Sequence, residues 1–147
     1  SMQTMHGNPI SASAGAAVLD TIRREGLVEN TRDVGAHPKA CLEGLMPSRP
    51  EIGSVRERGL AIGVELVDAR ATKAPDKALA AKTVYRAFEL GLVVYDVGLN
   101  SNVLELTPPR GLTKGEAEEA AAIIVQAIAD AASGKVSDDA VRAFAGW

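Results

Sequence analysis

Thr4 to Pro9 is the segment whose residue types and spacing suggest ligand chemistry. A hydroxyl at Thr4, a glycine at Gly7 and a helix start marked by Asn8 and Pro9 follow one another closely. Asn is a favoured N-cap, and Pro is favoured at the first helical position. Helix N-termini present free N–H groups and a partial positive charge, which suit a phosphate group. The other interpretation is an ordinary capped helix without a ligand, and the segment alone does not separate the two.

The remaining polar residues form no other pattern typical of a catalytic site. The sequence has neither a phosphate-binding glycine loop nor a serine in a nucleophile elbow. Glu57 and Glu65 are a possible carboxylate pair, but they flank Gly59 and we expect them to be solvated. One Cys and two His without ligand spacing predict that the chain holds no zinc. We expect Cys41 to be a small buried residue on a helix, and His6 to be a surface loop residue rather than a general base.

Composition excludes several classes of function. A length of 147 residues is that of one domain, and the formal net charge of -3 indicates no basic surface for nucleic acid or anionic lipid. Aromatic residues make up only 3%, too few to stack bases. No apolar run reaches the roughly 18 residues of a membrane span, and the first residues lack the features of a secretory signal. The single Cys41 fits a reducing compartment. We therefore expect a cytoplasmic protein with no nucleic-acid or membrane partner.

The periodicity of apolar residues predicts helices and short strands in one α+β domain. Leu60 to Val67 alternates with period two, and Val55 is expected in a preceding strand with a bend at Arg58-Gly59. Pro38 should kink or break its helix, since a mid-helix Pro costs about 3 kcal/mol. Helices are predicted at about 9–25, 27–46, 76–90, 113–132 and 137–144, and two further strands at 92–95 and 103–107. This order predicts a small, mainly antiparallel sheet that is covered by helices on one side.

An ordered series of motifs resembles one enzyme family. Residues 4–12, which read TMHGNPISA, resemble the Thr-Phe-x-Gly-Asn-Pro segment of class III pyridoxal-phosphate (PLP) aminotransferases, the family of 4-aminobutyrate, ornithine and omega-amino-acid aminotransferases. Residues 52–66, IGSVRERGLAIGVEL, are similar to the family's I-G-D-V-R-G-x-G-L-M-I-G-V-E-L. Residues 17–27 look like the family's following helix, and 91–93 and 104–109 look like its last two strands. The series extends over essentially the whole chain.

The resemblance implies that this chain is the C-terminal small domain of a fold-type I enzyme. Residues 1–26 would be the segment and helix leading from a large domain, and 27–147 the small domain itself. The Schiff-base lysine would lie in that large domain, so the chain alone should not transaminate and carries no catalytic or metal-binding residue. Thr4 would donate a hydrogen bond to the phosphate of PLP held by a neighbouring subunit. The implied partners are the chain's own large domain, a second subunit in a homodimer, and an amine or omega-amino acid with a keto acid.

The chain departs from the family pattern at the arginine that binds the substrate carboxylate. The family often has Arg, which binds the substrate carboxylate, at the place of Glu105, and a carboxylate there would repel such a substrate. The anchor could be an Arg of the large domain, or the donor could be an amine without a nearby carboxylate. Arg110 is a further candidate for the missing Arg, although we expect it to point to solvent.

Arg56 and Arg58 flank a turn, and we expect them at a solvated strand edge.

Two other functions fit the composition and size. One is a freestanding α+β binding or regulatory module without catalysis. The other is a structural oligomerisation domain in which the small residues Ala12, Gly15 and Ala16 pack against a partner helix. Pyridoxal phosphate should have no effect on an assembly of that second kind.

Overall fold

The computed structural model describes residues 7–142, which form five helices and one four-stranded sheet. The helices are α1 Pro9–Arg24, α2 Leu27–Leu45, α3 Lys77–Glu89, α4 Lys114–Ala132 and α5 Asp138–Arg142, and a 3-10 turn at Met46–Ser48 follows α2. The strands are β1 Ile52–Arg58, β2 Ala61–Leu66, β3 Tyr95–Val97 and β4 Val103–Leu106.

Every neighbouring pair of strands in the sheet is antiparallel. The spatial order is β1-β2-β4-β3, so β4 lies between the hairpin strand β2 and the short strand β3. β1 and β2 form a hairpin whose turn contains Gly59, at φ +65°. Glycine adopts that left-handed conformation without the steric cost that a Cβ brings. The predicted α+β class, the antiparallel sheet and the bend at residues 58–59 are confirmed.

The helices cover one face of the sheet, because buried side chains alternate along the strands with side chains of the opposite face. In β2 the side chains of Ile62, Val64 and Leu66 are buried, whereas positions 61, 63 and 65 belong to the opposite face. Helices α2 and α3 contact the strands, and α4 packs against both helices. The largest buried side chains of this core are Leu42, Ile52, Leu66, Leu104, Ile124 and Ile128. The other face of the sheet has no helix of residues 7–142 on it.

Helix α2 continues through Pro38, so of the predicted kink or break the break is wrong. The helix runs from Leu27 to Leu45 with Pro38 in its interior. Val34, Pro38 and Leu42 are spaced by four residues, and all three are buried. Burial of this stripe offsets the hydrogen bond that the proline nitrogen cannot donate.

Two other element boundaries differ from the prediction. The apolar run at 92–95 was expected to be a strand, but pairing begins at Tyr95 and continues to Val97. A short apolar run does not reveal which of its residues meets a partner strand. Helix α5 is described only to Arg142, and the predicted end at Phe144 lies outside the described residues.

Helix α2 approaches the β1–β2 turn very closely at Gly35. A Cβ placed on Gly35 would lie 2.1 Å from the carbonyl oxygen of Gly59. Gly59 itself lies against Thr31, whose Cγ2 would be 2.7 Å from a Cβ at position 59. Two glycines therefore let the helix and the hairpin turn pack backbone to backbone.

Asp130 and Arg70, two charged residues that carry no local sequence signal, stabilise the fold through hydrogen bonds. Asp130 of α4 is buried and accepts hydrogen bonds from Lys135 at 2.6 Å, Gln126 at 2.8 Å and Arg86 at 2.9 Å. The Lys135 ammonium, followed by the Arg86 guanidinium, lowers the pKa of Asp130 to about 2. The guanidinium of Arg70 donates to the backbone carbonyls of residue 52 at 3.1 Å and residue 49 at 2.8 Å, and also to that of residue 46. It therefore ties the segment after α2 to the loop after β2.

Candidate functional site

The uncovered face of the sheet carries a row of four residues, one from each strand. Arg56 of β1 pairs with Gly63 of β2, Gly63 pairs with Glu105 of β4, and Glu105 pairs with Tyr95 of β3. Residues directly opposite each other in antiparallel strands share a face. Neighbouring strands lie about 4.8 Å apart, so the Cα atoms of Arg56 and Glu105 are roughly 10 Å apart. Gly63 lies between them without a side chain.

The two charges of this row are exposed and unneutralised. Arg56 and Glu105 are solvent-exposed, and neither side chain has a hydrogen bond or ion pair with any residue in the 7–142 range. Tyr95 is 65% exposed beside Glu105. At Gly63 the nearest obstacle to a Cβ is the Cγ1 atom of Val103, at 3.3 Å. A guanidinium and a carboxylate thus flank an open strip of backbone, with an aromatic ring next to the carboxylate. This row, Arg56-Gly63-Glu105-Tyr95, is called the polar row below.

Glu57 and Glu65 lie on opposite faces of the hairpin, which excludes them as a cooperating acid–base pair. Glu65 accepts a hydrogen bond from Ser54 at 2.9 Å, on the face of the polar row. Glu57 pairs with Ile62 on the helix-covered face. One of its oxygens accepts from the Gly59 amide at 2.7 Å, and the other lies 3.6 Å from the Lys39 ammonium. Both carboxylates therefore have structural partners.

Arg110 lies away from the polar row. Its carbonyl oxygen accepts a hydrogen bond from the Asn30 side-chain amide at 2.7 Å, which ties the loop after β4 to α2. The exposed residue lines a shallow apolar groove with Val18, Ile22 and Leu27 at the α1–α2 junction. Arg110 is therefore not placed to replace the arginine that the family pattern has at the position of Glu105.

The start of α1 is a capped helix end. The Asn8 side-chain oxygen accepts hydrogen bonds from the amides of Ile10 at 3.0 Å and Ser11 at 3.1 Å. These are the donors that a phosphate at the helix terminus would use. Thr4 and His6 lie outside the described residues, so the role of Thr4 stays a prediction.

Cys41 is exposed, which corrects the expectation that it is buried. The buried stripe of α2 follows Val34, Pro38 and Leu42, and Cys41 falls beside that stripe rather than in it. Residues 7–142 contain no group of three or more His, Cys, Asp and Glu side chains arranged to hold a metal ion. Within the same residues, no helix has both the length and the apolar character to cross a membrane.

Sequence reasoning missed the polar row. Arg56 could have been assigned to one face from the alternation along the hairpin. The alignment of Arg56 with Glu105 could not have been predicted in this way, because the alignment depends on which strand pairs with β2 across the intervening residues 67–102.

Comparison with known proteins identifies the family. The chain is 41% identical over 133 residues to the alanine/serine racemase of Pyrococcus horikoshii, covering 90% of this chain and 28% of that protein. It is also 41% identical over 115 residues to the mitochondrial alanine–glyoxylate aminotransferase 2 homolog 2 of Arabidopsis thaliana, covering 78% and 24%. The chain thus spans only about a quarter of the length of these relatives.

A solved structure gives the same result for the fold. The structure of an amine transaminase from an uncultivated Pseudomonas species, in its PLP-bound form, superposes with a TM-score of 0.82 and 30% identity, covering 89% of this chain and 30% of that one. Residues 2–128 match the sequence profile of the family described as Aminotransferase class-III. The chain therefore belongs to the class-III aminotransferase family.

Proposed function

We propose that this chain is the C-terminal small domain of a longer PLP-dependent enzyme that transfers an amino group from an amine or amino acid to a keto acid. The match of residues 2–128 to the family carries the proposal. The coverage of relatives by only about a quarter of their length supports a role as one domain of a larger protein. Helix α1 has no buried residue, which supports a boundary near residue 26 and a covering surface supplied from elsewhere.

The described residues do not themselves fit pyridoxal phosphate. At the α1 terminus the amides of Ile10 and Ser11 are already bonded to Asn8. Lys39, Lys82 and Lys135 are in ion pairs with carboxylates. When bound, the cofactor supplies an electron sink for chemistry at an amino-bearing carbon. The proposal therefore assigns its covalent attachment and ring contacts to the large domain, and only the phosphate contact, from Thr4, to this chain.

The proposal assigns the polar row to the substrate. The row presents exposed, unpaired charges on the face that no helix of the described range covers. The family pattern also has a substrate-binding residue at the position of Glu105. Arg56, Glu105 and Tyr95 would orient the donor, and none of them is proposed to move a proton. A second subunit of a homodimer would hold the cofactor that Thr4 contacts, and the single Cys41 supports a cytoplasmic location.

Racemisation of an amino acid is the second candidate. It is favoured by the alanine/serine racemase of Pyrococcus horikoshii, which matches 90% of this chain at 41% identity. Racemisation conserves the amino compound, whereas amino transfer consumes a keto acid. The two reactions are therefore distinguished by whether the amino acid is converted to a product when no keto acid is present.

Two measurements test the proposal. The first is to read the coding sequence upstream of residue 1, where we expect a continuing frame with a lysine a few dozen residues before Thr4. A start codon and ribosome-binding site directly upstream would instead favour the freestanding binding module. The second is to incubate the complete protein and PLP with L-alanine, with and without 2-oxoglutarate. Pyruvate formed only with the acceptor supports amino transfer, and D-alanine formed without it supports racemisation. If neither product forms from L-alanine, and n-butylamine with 2-oxoglutarate yields no butanal and glutamate, the proposed function is wrong.

A further inference from the structure

We propose that a cleft between α4 and strands β2 and β4, lined by Ile62, Leu106 and Ala117 among other residues, binds an amphiphilic organic cation. The apolar part of the ligand would lie against a face of α4 that carries alanines, and its cationic head group would lie at Glu119. The ligand is additional to the substrates, and no reaction of it is proposed. The proposal therefore goes beyond the proposed function and does not rest on it.

The cleft separates two parts of the apolar core. One wall belongs to the small cluster that contains Leu60 and Ala117, and the other belongs to the main core and includes Val94. Its floor on the sheet is the cross-strand pair Ile62 and Leu106, which lies on the helix-covered face, opposite the face of the polar row. The volume of the cleft is about 520 Å³. Ligand pockets typically measure roughly 300–1,000 Å³, so the cleft has the size of a small-molecule site.

Small side chains on α4 keep the cleft open. Ala117, Ala120 and Ala121 line it, and their spacing places them on one face of the helix. Ile124, one turn further along that face, is fully buried in the main core. An unfilled apolar gap lacks the dispersion contacts of a close-packed interior, and an apolar ligand supplies them. Since an apolar cavity of about 150 Å³ holds benzene, this cleft has room for a longer apolar tail.

The charged residues at the cleft are all acidic. Among the described residues that line it, Glu105, Glu116 and Glu119 carry negative charge, and none is Lys, Arg or His. Glu105 belongs to the opposite face of the sheet, and Glu116 already accepts hydrogen bonds from the Thr113 amide at 2.8 Å and hydroxyl at 2.7 Å. Glu119 is exposed and has neither a hydrogen bond nor an ion pair with any residue of the 7–142 range. A cationic head group at Glu119 is therefore attracted, whereas a carboxylate or phosphate is repelled.

A quaternary ammonium compound tests the proposal, because it cannot form a Schiff base with PLP. We expect n-octyltrimethylammonium, titrated into the full 147-residue chain below its micelle concentration, to shift amide NMR signals in a saturable way. The shifts should centre on residues 117–121 and 91–94, which line the cleft. The n-hexyl homologue should bind about 10-fold more weakly, because each buried methylene contributes about fourfold. Shifts centred on the apolar groove beside α1, or octanoate binding as tightly as the cation, would overturn the proposal.

Two matched pairs of variants separate the contribution of the tail from that of the charge. Ala120→Leu should weaken binding about 10-fold or more, because leucine occupies part of the space of the tail, whereas Ala122→Leu, at an exposed position outside the cleft, should not change it. Glu119→Gln should weaken binding of the cation about 3- to 5-fold at low salt. Glu118→Gln is its control, because that carboxylate lies 2.8 Å from the His37 ring and outside the cleft. If Glu119→Gln leaves the affinity for the cation unchanged, the cleft does not select a cation and the proposal is wrong.

Two other occupants of the cleft are outcomes that would overturn the proposal. If a large domain covers the cleft, the complete PLP-bound protein should not bind the probe although the 147-residue chain does. If a second copy covers it, the apparent affinity should fall with rising chain concentration, in step with dimer formation measured by sedimentation. We expect neither result, and the complete protein should show the affinity and the Glu119 dependence of the chain. This expectation holds whether or not amino transfer is detected, so failure of the proposed function is distinguishable from failure of this proposal.

Discussion

Replacing Gly35 with alanine should force α2 away from the β1–β2 turn. The new Cβ would lie 2.1 Å from the carbonyl oxygen of Gly59 and 2.5 Å from its carbonyl carbon, whereas real Cβ contacts stay beyond 3.0 Å. The obstacle is backbone, so no side-chain rotation can relieve the overlap. A relative shift of roughly 1 Å between the helix and the hairpin turn is needed, in an interior with little free space.

The net effect can be worked out from two opposing terms. Overpacking costs about 1–3 kcal/mol, and the upper end applies here because the backbone must move. Alanine in place of glycine in a helix gains about 0.5–1 kcal/mol. We therefore expect Gly35→Ala to lower the free energy of unfolding by about 2 kcal/mol.

Gly44→Ala is the matched control, because it makes the same change in the same helix. A Cβ on Gly44 would have no heavy atom within 4 Å beyond its own surroundings in the helix. The control should therefore keep the helix-propensity gain, about 0.5 kcal/mol near the helix end. The two variants should differ by roughly 2–3 kcal/mol.

Urea denaturation of the 147-residue chain, followed by far-UV circular dichroism, measures this difference. A Gly35→Ala variant as stable as Gly44→Ala would refute the close approach of α2 to the turn. The same result would undermine the placement of β1 and β2, and with it the position of Arg56 relative to α2.

Three further predictions concern other parts of the chain. Asp130→Asn should be less stable than wild type at neutral pH, because the folded pKa of Asp130, about 2, lies below its ordinary value of 3.8. The greater stability of the wild type should be present above about pH 4 and should fade as the pH falls toward 2. Urea midpoints of both proteins across that range measure it, and a difference that does not change with pH would contradict the ion pairs at Asp130. Arg70→Lys should lower the free energy of unfolding by about 2 kcal/mol in the same assay, because an ammonium cannot reproduce the planar fork that donates to several backbone carbonyls. A variant as stable as the wild type would contradict that role of Arg70. Thr4→Ala in the complete enzyme should weaken cofactor retention about 10- to 100-fold, and an unchanged dissociation constant for PLP would remove Thr4 from the site.

The sequence by itself determined the elements whose signals are local. Asn8 with Pro9 predicted the start of α1, and the structure shows the Asn8 cap. The helix predicted at 113–132 is α4, where Thr113 and Glu116 form both hydrogen bonds of a capping box. The alternation along β2 and the bend at Gly59 also came from neighbouring residues, because caps, turns and strand alternation are set within a few positions of the chain.

Tertiary structure decided what depends on partners distant in sequence. Pro38 lies within a continuous helix because packing on its buried stripe outweighs a local cost. Strand β3 begins at Tyr95 because that is where β4 meets it, and Cys41 is exposed because the buried stripe of α2 is narrow. Asp130 is buried because Arg86 of α3, 44 positions away, satisfies it together with the near neighbours Lys135 and Gln126.

The polar row shows the same division most clearly. The sequence supplies the residues, but Arg56 and Glu105 are 49 positions apart and share a face only through the strand order β1-β2-β4-β3. The pairing of β2 with β4 closes a loop that includes α3, and no local sequence pattern specifies that pairing. The identity of each residue is thus local information, whereas the juxtaposition that could bind a substrate is a property of the folded sheet.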